Sequence, residues 1–115
     1  MERIINNKKV NFSVLRFSEV KAVVEKYAKI QWNLAAQICD KNNITGIERG
    51  QILQNTYNKY NTLSSIYAAV DNFDCVEMII NIAADEPVEM DDIEPDDISL
   101  ILQHVLCIKL SAEGN

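Results

Sequence analysis

The spacing of apolar and polar residues changes character along this chain, and each change predicts a different element. Near the start, Val10, Phe12 and Val14 alternate with Asn11 and Ser13, the period of a strand with one covered face. Asn6-Asn7 precedes them, and asparagine tolerates the left-handed backbone of a tight turn, so residues 3–15 are predicted to form a short β-hairpin. A lone hairpin is marginal in water, so one of its faces must rest on the remainder of the chain. From residue 18 the apolar positions step by three and four: Val20, Val23, Val24, Tyr27, Ile30, Leu34, Ala35 and Ile38. Trp32, Ala36 and Cys39 widen this stripe, which implies burial on more than one side. With Ser18 as N-cap and Glu19 at the positive helix end, a central helix over 18–41 is predicted.

Thr45-Gly46-Ile47-Glu48 has the spacing of a capping box, and the stripe that follows predicts a second helix over 46–71. That stripe runs through Ile52, Leu53, Tyr57, Tyr60, Leu63, Ile66, Tyr67 and Val70. Gly50 costs its first turns up to about 1 kcal/mol against alanine and leaves room for a kink or a close helix contact. The tyrosines and Trp32 read as core-edge residues whose polar tips reach water. At Asp71-Asn72-Phe73-Asp74 the pattern weakens, and Asp71 or Asp74 is placed to cap a shorter helix over 74–84 that buries Val76, Ile79, Ile80 and Ala83. Spacing alone leaves open whether these are two helices or one bent one. Pro95, with Asp96 and Asp97 beside it, suits the first turn of a last helix over 95–110, whose apolar face is Ile98, Ile101, Leu102, Val105, Cys107 and Ile108. The fold class expected is mainly α: a three- to four-helix bundle with a short N-terminal β-hairpin. At 115 residues it fits one domain.

Charge adds a feature that periodicity does not. Residues 85–97 hold eight carboxylates, Asp85, Glu86, Glu89, Asp91, Asp92, Glu94, Asp96 and Asp97, together with both prolines. Only Val88, Met90 and Ile93 offer apolar anchors in this acidic linker. Residues 1–60 carry ten Lys/Arg against five Asp/Glu, and residues 61–115 carry one against twelve, so a net charge of −6 conceals halves of +5 and −11. Such asymmetry bears on association and steering. The acidic linker reads first as a solvated loop, and otherwise as a patch that faces something positive, either a partner with a basic surface or the chain's own basic half.

The chemistry of covalent catalysis finds no foothold. A calcium loop needs a glycine at its sharp turn, and residues 85–97 contain none. His104 is the single histidine, and there is neither a Gly-x-Ser-x-Gly elbow nor a His-Glu-x-x-His pair. The three glycines form no phosphate cradle. Cys39, Cys75 and Cys107 lie apart in apolar segments, where free cysteine acts as a small hydrophobe. No cofactor, no metal and no enzymatic activity are therefore expected. Lys21, Lys26, Lys29 and Lys41 with Arg16 sketch a basic face, but Glu19, Glu25 and Asp40 dilute it and the chain is acidic overall, which argues against direct nucleic-acid binding. No apolar run approaches the roughly 18 residues of a membrane span, and the first residues lack the apolar core of a secretory signal. The expected compartment is the cytoplasm.

The opening Ile5-Asn6-Asn7-Lys8-Lys9-Val10-Asn11-Phe12, followed by a helix, resembles the N-terminus of small tail assembly chaperones of tailed phages, over about 40 residues. Here asparagine stands at the turn where glycine is common. The resemblance implies a cytosolic, non-enzymatic protein, in the bacterial host cytoplasm if phage-encoded, that holds an aggregation-prone partner during assembly; it transfers no functional residue. The functional expectation is accordingly a protein-binding module, an assembly chaperone or adaptor. It would use the acidic run for steering and the apolar face of the last helix (Ile98, Ile101, Leu102, Val105) for contact. The alternative is an acidic inhibitor that blocks a basic nucleic-acid-binding site of a host enzyme by charge mimicry. Wide apolar faces and oppositely charged halves also allow homo-oligomeric contacts.

Overall fold

A computed structural model describes residues 1–110. Strands β1 (Glu2–Ile5) and β2 (Lys8–Asn11) form an antiparallel hairpin in which Arg3 faces Val10 and Ile5 faces Lys8. Asn6 and Asn7 turn it with φ of 50° and 63°, the left-handed pair that a two-residue hairpin loop requires. The helices are α1 (Phe17–Lys41), α2 (Gly46–Tyr60), α3 (Ile66–Ala69), α4 (Phe73–Ala83) and α5 (Pro95–Leu106), with 3₁₀ turns at Leu63–Ser65 and Met90–Asp92. The mainly α architecture with its N-terminal hairpin is the one the periodicity implies.

Several element ends differ from expectation. α1 starts at Phe17 behind an N-cap at Arg16, not at Ser18. A guanidinium has no acceptor to cap with; the end is secured by Glu19, whose carboxylate accepts the Arg16 backbone N–H at 2.8 Å. That bond, with the guanidinium contact, holds the Glu19 carboxyl below its ordinary range. Thr45 caps α2 without a side-chain hydrogen bond, so the expected box does not form. α2 runs unbroken through Gly50, and no other part of the chain comes within 4 Å of where a Cβ would stand, so the expected close helix contact is not there. The helix expected over 46–71 breaks at Asn61 and Thr62, both outside helical geometry, before the chain resumes through the 3₁₀ turn into α3. Neither Asp71 nor Asp74 caps α4. Asn72 does, its Oδ1 accepting the Cys75 N–H at 3.0 Å. Pro95 takes the first turn of α5 as expected, but the helix ends at Leu106 because Cys107 adopts φ 54°.

α1 and α2 pack as a helical hairpin closed by the turn at residues 42–45, where the Asn42 side chain donates to the Ile38 carbonyl at 2.9 Å. Tyr27 and Tyr60 meet edge to face, centroids 5.9 Å apart, and Arg49 pairs with Asp40 near the turn. The core lies at the opposite end of α1. Val23 and Val24 meet Ile5, Val10, Phe12 and Leu15 from the hairpin side, Ile66 and Ala69 of α3, and the inner faces of α4 and α5. Residues 11–15 thread between these last two helices. Ser13 N–H donates to the Ala83 carbonyl at 3.0 Å and Leu15 N–H to that of Val105 at 2.8 Å. Phe12, with no exposed surface, plugs the junction; loss of such a ring typically costs about 3–5 kcal/mol. No helix among the described residues is long and apolar enough to cross a membrane.

Candidate functional site: an apolar groove with acidic walls

The short α3 and the turn before α4 place two aromatic rings where no helix covers them. Tyr67 is 58 % exposed and Phe73, the first residue of α4, is 92 % exposed. Asn72 fixes the start of α4 and thereby the direction in which Phe73 leaves the fold. Across from them runs the acidic segment, pinned at both ends. Asp85 exchanges two bonds with Asn11: its N–H donates to the Asn11 carbonyl at 3.0 Å, and its carboxylate accepts the Asn11 N–H at 2.9 Å. Ile93 is buried in the core, with Val88 and Met90 packed against it. The linker is therefore a strap laid over the body.

Between the strap and α4 lies an open groove of about 1140 Å³. Its apolar surface includes Tyr67, Val70, Phe73, Met90, Pro95 and Ile98, and its carboxylates are Asp71, Asp74 and Glu77 on one side and Asp91 and Glu94 on the other. Among the described residues Lys109 is the one basic residue lining it. These five carboxylates are exposed, and neither ion pair among the described residues, Arg16–Glu19 or Arg49–Asp40, involves them. Water solvates them, so they are available to an incoming cation without first breaking an internal pair.

The expected acidic patch is thus divided in space. Asp91 and Glu94 line the groove; Glu86, Glu89 and Asp92 line a smaller recess of about 140 Å³ beside Ile5, Asn6 and Lys8 of the hairpin. That recess is where the acidic run faces the chain's basic half. Asp85 is tied to Asn11, Asp96 is exposed in the first turn of α5, and Asp97 is half-buried there.

The apolar face expected on the last helix is not a free surface. Ile101 and Val105 have no exposed area and Leu102 has 3 %, all within the chain's own core. Half-buried Ile98 and the edge of Leu102 are the members of that face that line the groove. Spacing identified a face that must be covered, and the hairpin, α1 and α4 cover it. Conversely, Phe73, Asp74 and Glu77 were missed as site residues. The available signal was an aromatic off the helical stripe, set between aspartates at a pattern break.

Other chemistry remains scattered. His104 is exposed, and no group of three or more His, Cys, Asp or Glu among the described residues is placed to hold a metal. Cys39 and Cys75 are buried and Cys107 is exposed. Burial pushes the Cys75 thiol up, away from the reactive thiolate; Asp74 adds to this and Lys26 opposes it. No protein-family model matches the chain, nor does any curated protein or solved structure. The geometry of the groove therefore carries the functional reading.

Proposed function

We propose that this chain is a non-enzymatic protein-binding module, an adaptor or assembly chaperone, that engages its partner through the groove between α4 and the acidic strap. The observation that carries this reading is Phe73, 92 % exposed at the Asn72-capped start of α4 and lining the same groove as Tyr67 and Met90. An exposed aromatic next to an apolar concavity is the usual anchor of a protein contact. The carboxylates on both walls steer the approach and set the register.

Capture from the cells that naturally express the chain tests it, at low and at moderate salt, with Phe73→Ala as control. The expected result is a partner retained at moderate salt and lost with Phe73→Ala. A partner set indifferent to Phe73 contradicts the proposal.

A second reading has support from the exposed carboxylates that lack internal partners: an acidic inhibitor that occupies a basic nucleic-acid-binding site by charge mimicry. Its contact would be charge-driven, so its partner would dissociate steeply between low and moderate salt and ignore Phe73→Ala.

A further inference from the structure

We infer that the occupant of this groove is a short cationic amphipathic helix belonging to another protein. The inference rests on the reading of the groove as a docking site and adds the chemistry of what docks there. Charge sets the sign: among the described residues five carboxylates line the groove against one lysine, Lys109, so an acidic segment could pair only with Lys109 and a neutral one with none of them. Apolar surface sets the amphipathicity. A purely basic, hydrated segment would leave Phe73 and Tyr67 facing water, whereas one apolar stripe covers them while its flanking lysines or arginines reach Glu77 on one side and Glu94 on the other.

Size and borders set the secondary structure. About 1140 Å³ corresponds to two to three turns of a helix taken as a cylinder about 10 Å across with a pitch of about 5.4 Å. The groove is bordered by α3, α4, α5 and a 3₁₀ turn, with no strand edge to which an extended peptide could add by backbone hydrogen bonds. Helix-in-groove recognition is the mode that sets one apolar stripe along such a concavity with charged side chains on both flanks.

Binding of labelled synthetic peptides to the full chain, followed by fluorescence anisotropy, tests the inference. The probes are an amphipathic Leu/Lys helix, its Leu/Glu counterpart, and a Lys/Ser peptide of equal charge without an apolar face. Only the Leu/Lys helix is expected to bind well. Neutralising the groove carboxylates together (Asp74→Asn, Glu77→Gln, Asp91→Asn, Glu94→Gln) is expected to weaken it about tenfold or more, by the summed effect of several exposed pairs. Neutralising four carboxylates outside the groove (Glu86→Gln, Glu89→Gln, Asp92→Asn, Asp96→Asn) is expected to change it much less. Phe73→Ala, at an exposed site that the fold does not need, is expected to cost about tenfold.

Equal binding of the Lys/Ser peptide, or equal effects of the two sets of neutralisations, would overturn the inference, since charge alone would then explain the contact. Phe73-dependent binding of the Leu/Glu helix would overturn the choice of occupant and leave the docking site standing. Phe73-dependent self-association in sedimentation would do the same, with a second copy as the occupant. If no probe binds through Phe73 and capture is also indifferent to it, both readings fall.

Discussion

At the scale of single residues, two backbone positions decide more than their side chains suggest. Asn72 both ends the preceding turn and caps α4 through the Cys75 N–H. Asn72→Ala is expected to cost about 1 kcal/mol, seen as a lower urea midpoint, and to loosen the start of α4 that presents Phe73. Cys107 holds a left-handed conformation, φ 54°, at the end of α5 while exposed to solvent. A glycine there carries no Cβ penalty, so Cys107→Gly is expected to stabilise by up to about 1 kcal/mol, and thermal melting checks the sign. Buried Cys75 behaves differently. Burial raises its pKa, and burial followed by the nearby Tyr60 raises that of Tyr27. Both groups ionise more readily in the unfolded chain. The Cys75 contribution is therefore intact below the ordinary thiol range and declines as pH rises above about 8.5, and that of Tyr27 declines only above about 10. Urea midpoints measured from neutral to alkaline pH should fall, and Cys75→Ala should make that fall shallower.

At the scale of elements, the α1–α2 hairpin is an arm extending from the body. Toward its turn only Cys39 and Leu53 are buried, while Leu34, Ile38 and Ile47 are exposed. Amide exchange is therefore expected to be fastest around residues 42–52 and slowest in α4, in α5 and around Val23, Val24 and Ala28. Uniform protection along α1 would contradict this division. The same elements show what could be read in advance. The hairpin turn was readable because Asn6-Asn7 specifies its own backbone, and the inner part of the α1 stripe at Val23 and Val24 was readable as a face needing cover, whereas its outer members Leu34 and Ile38 are exposed because only α2 packs there. The break at Asn61-Thr62 was not, because Leu63 and Ile66 continue the helical spacing across it and only tertiary packing redirects the chain. The face of α5 was found but misassigned. Periodicity says that Ile101, Leu102 and Val105 need cover, not that Phe12, Leu15 and α4 provide it. The acidic strap was legible as charge, whereas the groove is made by elements distant in sequence and has no local signature beyond Phe73.

At the scale of the whole molecule, the basic and acidic halves share one core, the acidic run faces a lysine at the hairpin recess, and the groove carboxylates Asp71, Asp74, Glu77, Asp91 and Glu94 lie open to solvent. Long-range attraction then favours a cationic partner at low salt, and the apolar groove holds it once contact is made. This division of labour is the central claim, and it has a spatial signature. The measurement that tests it most directly is an amide chemical-shift map of the labelled full chain as the captured partner is added at moderate salt. Shifts concentrated at residues 67–77 and 90–99 are expected. Shifts centred on the hairpin, or on Lys21 and Lys29 of α1, with the groove unchanged, would contradict it.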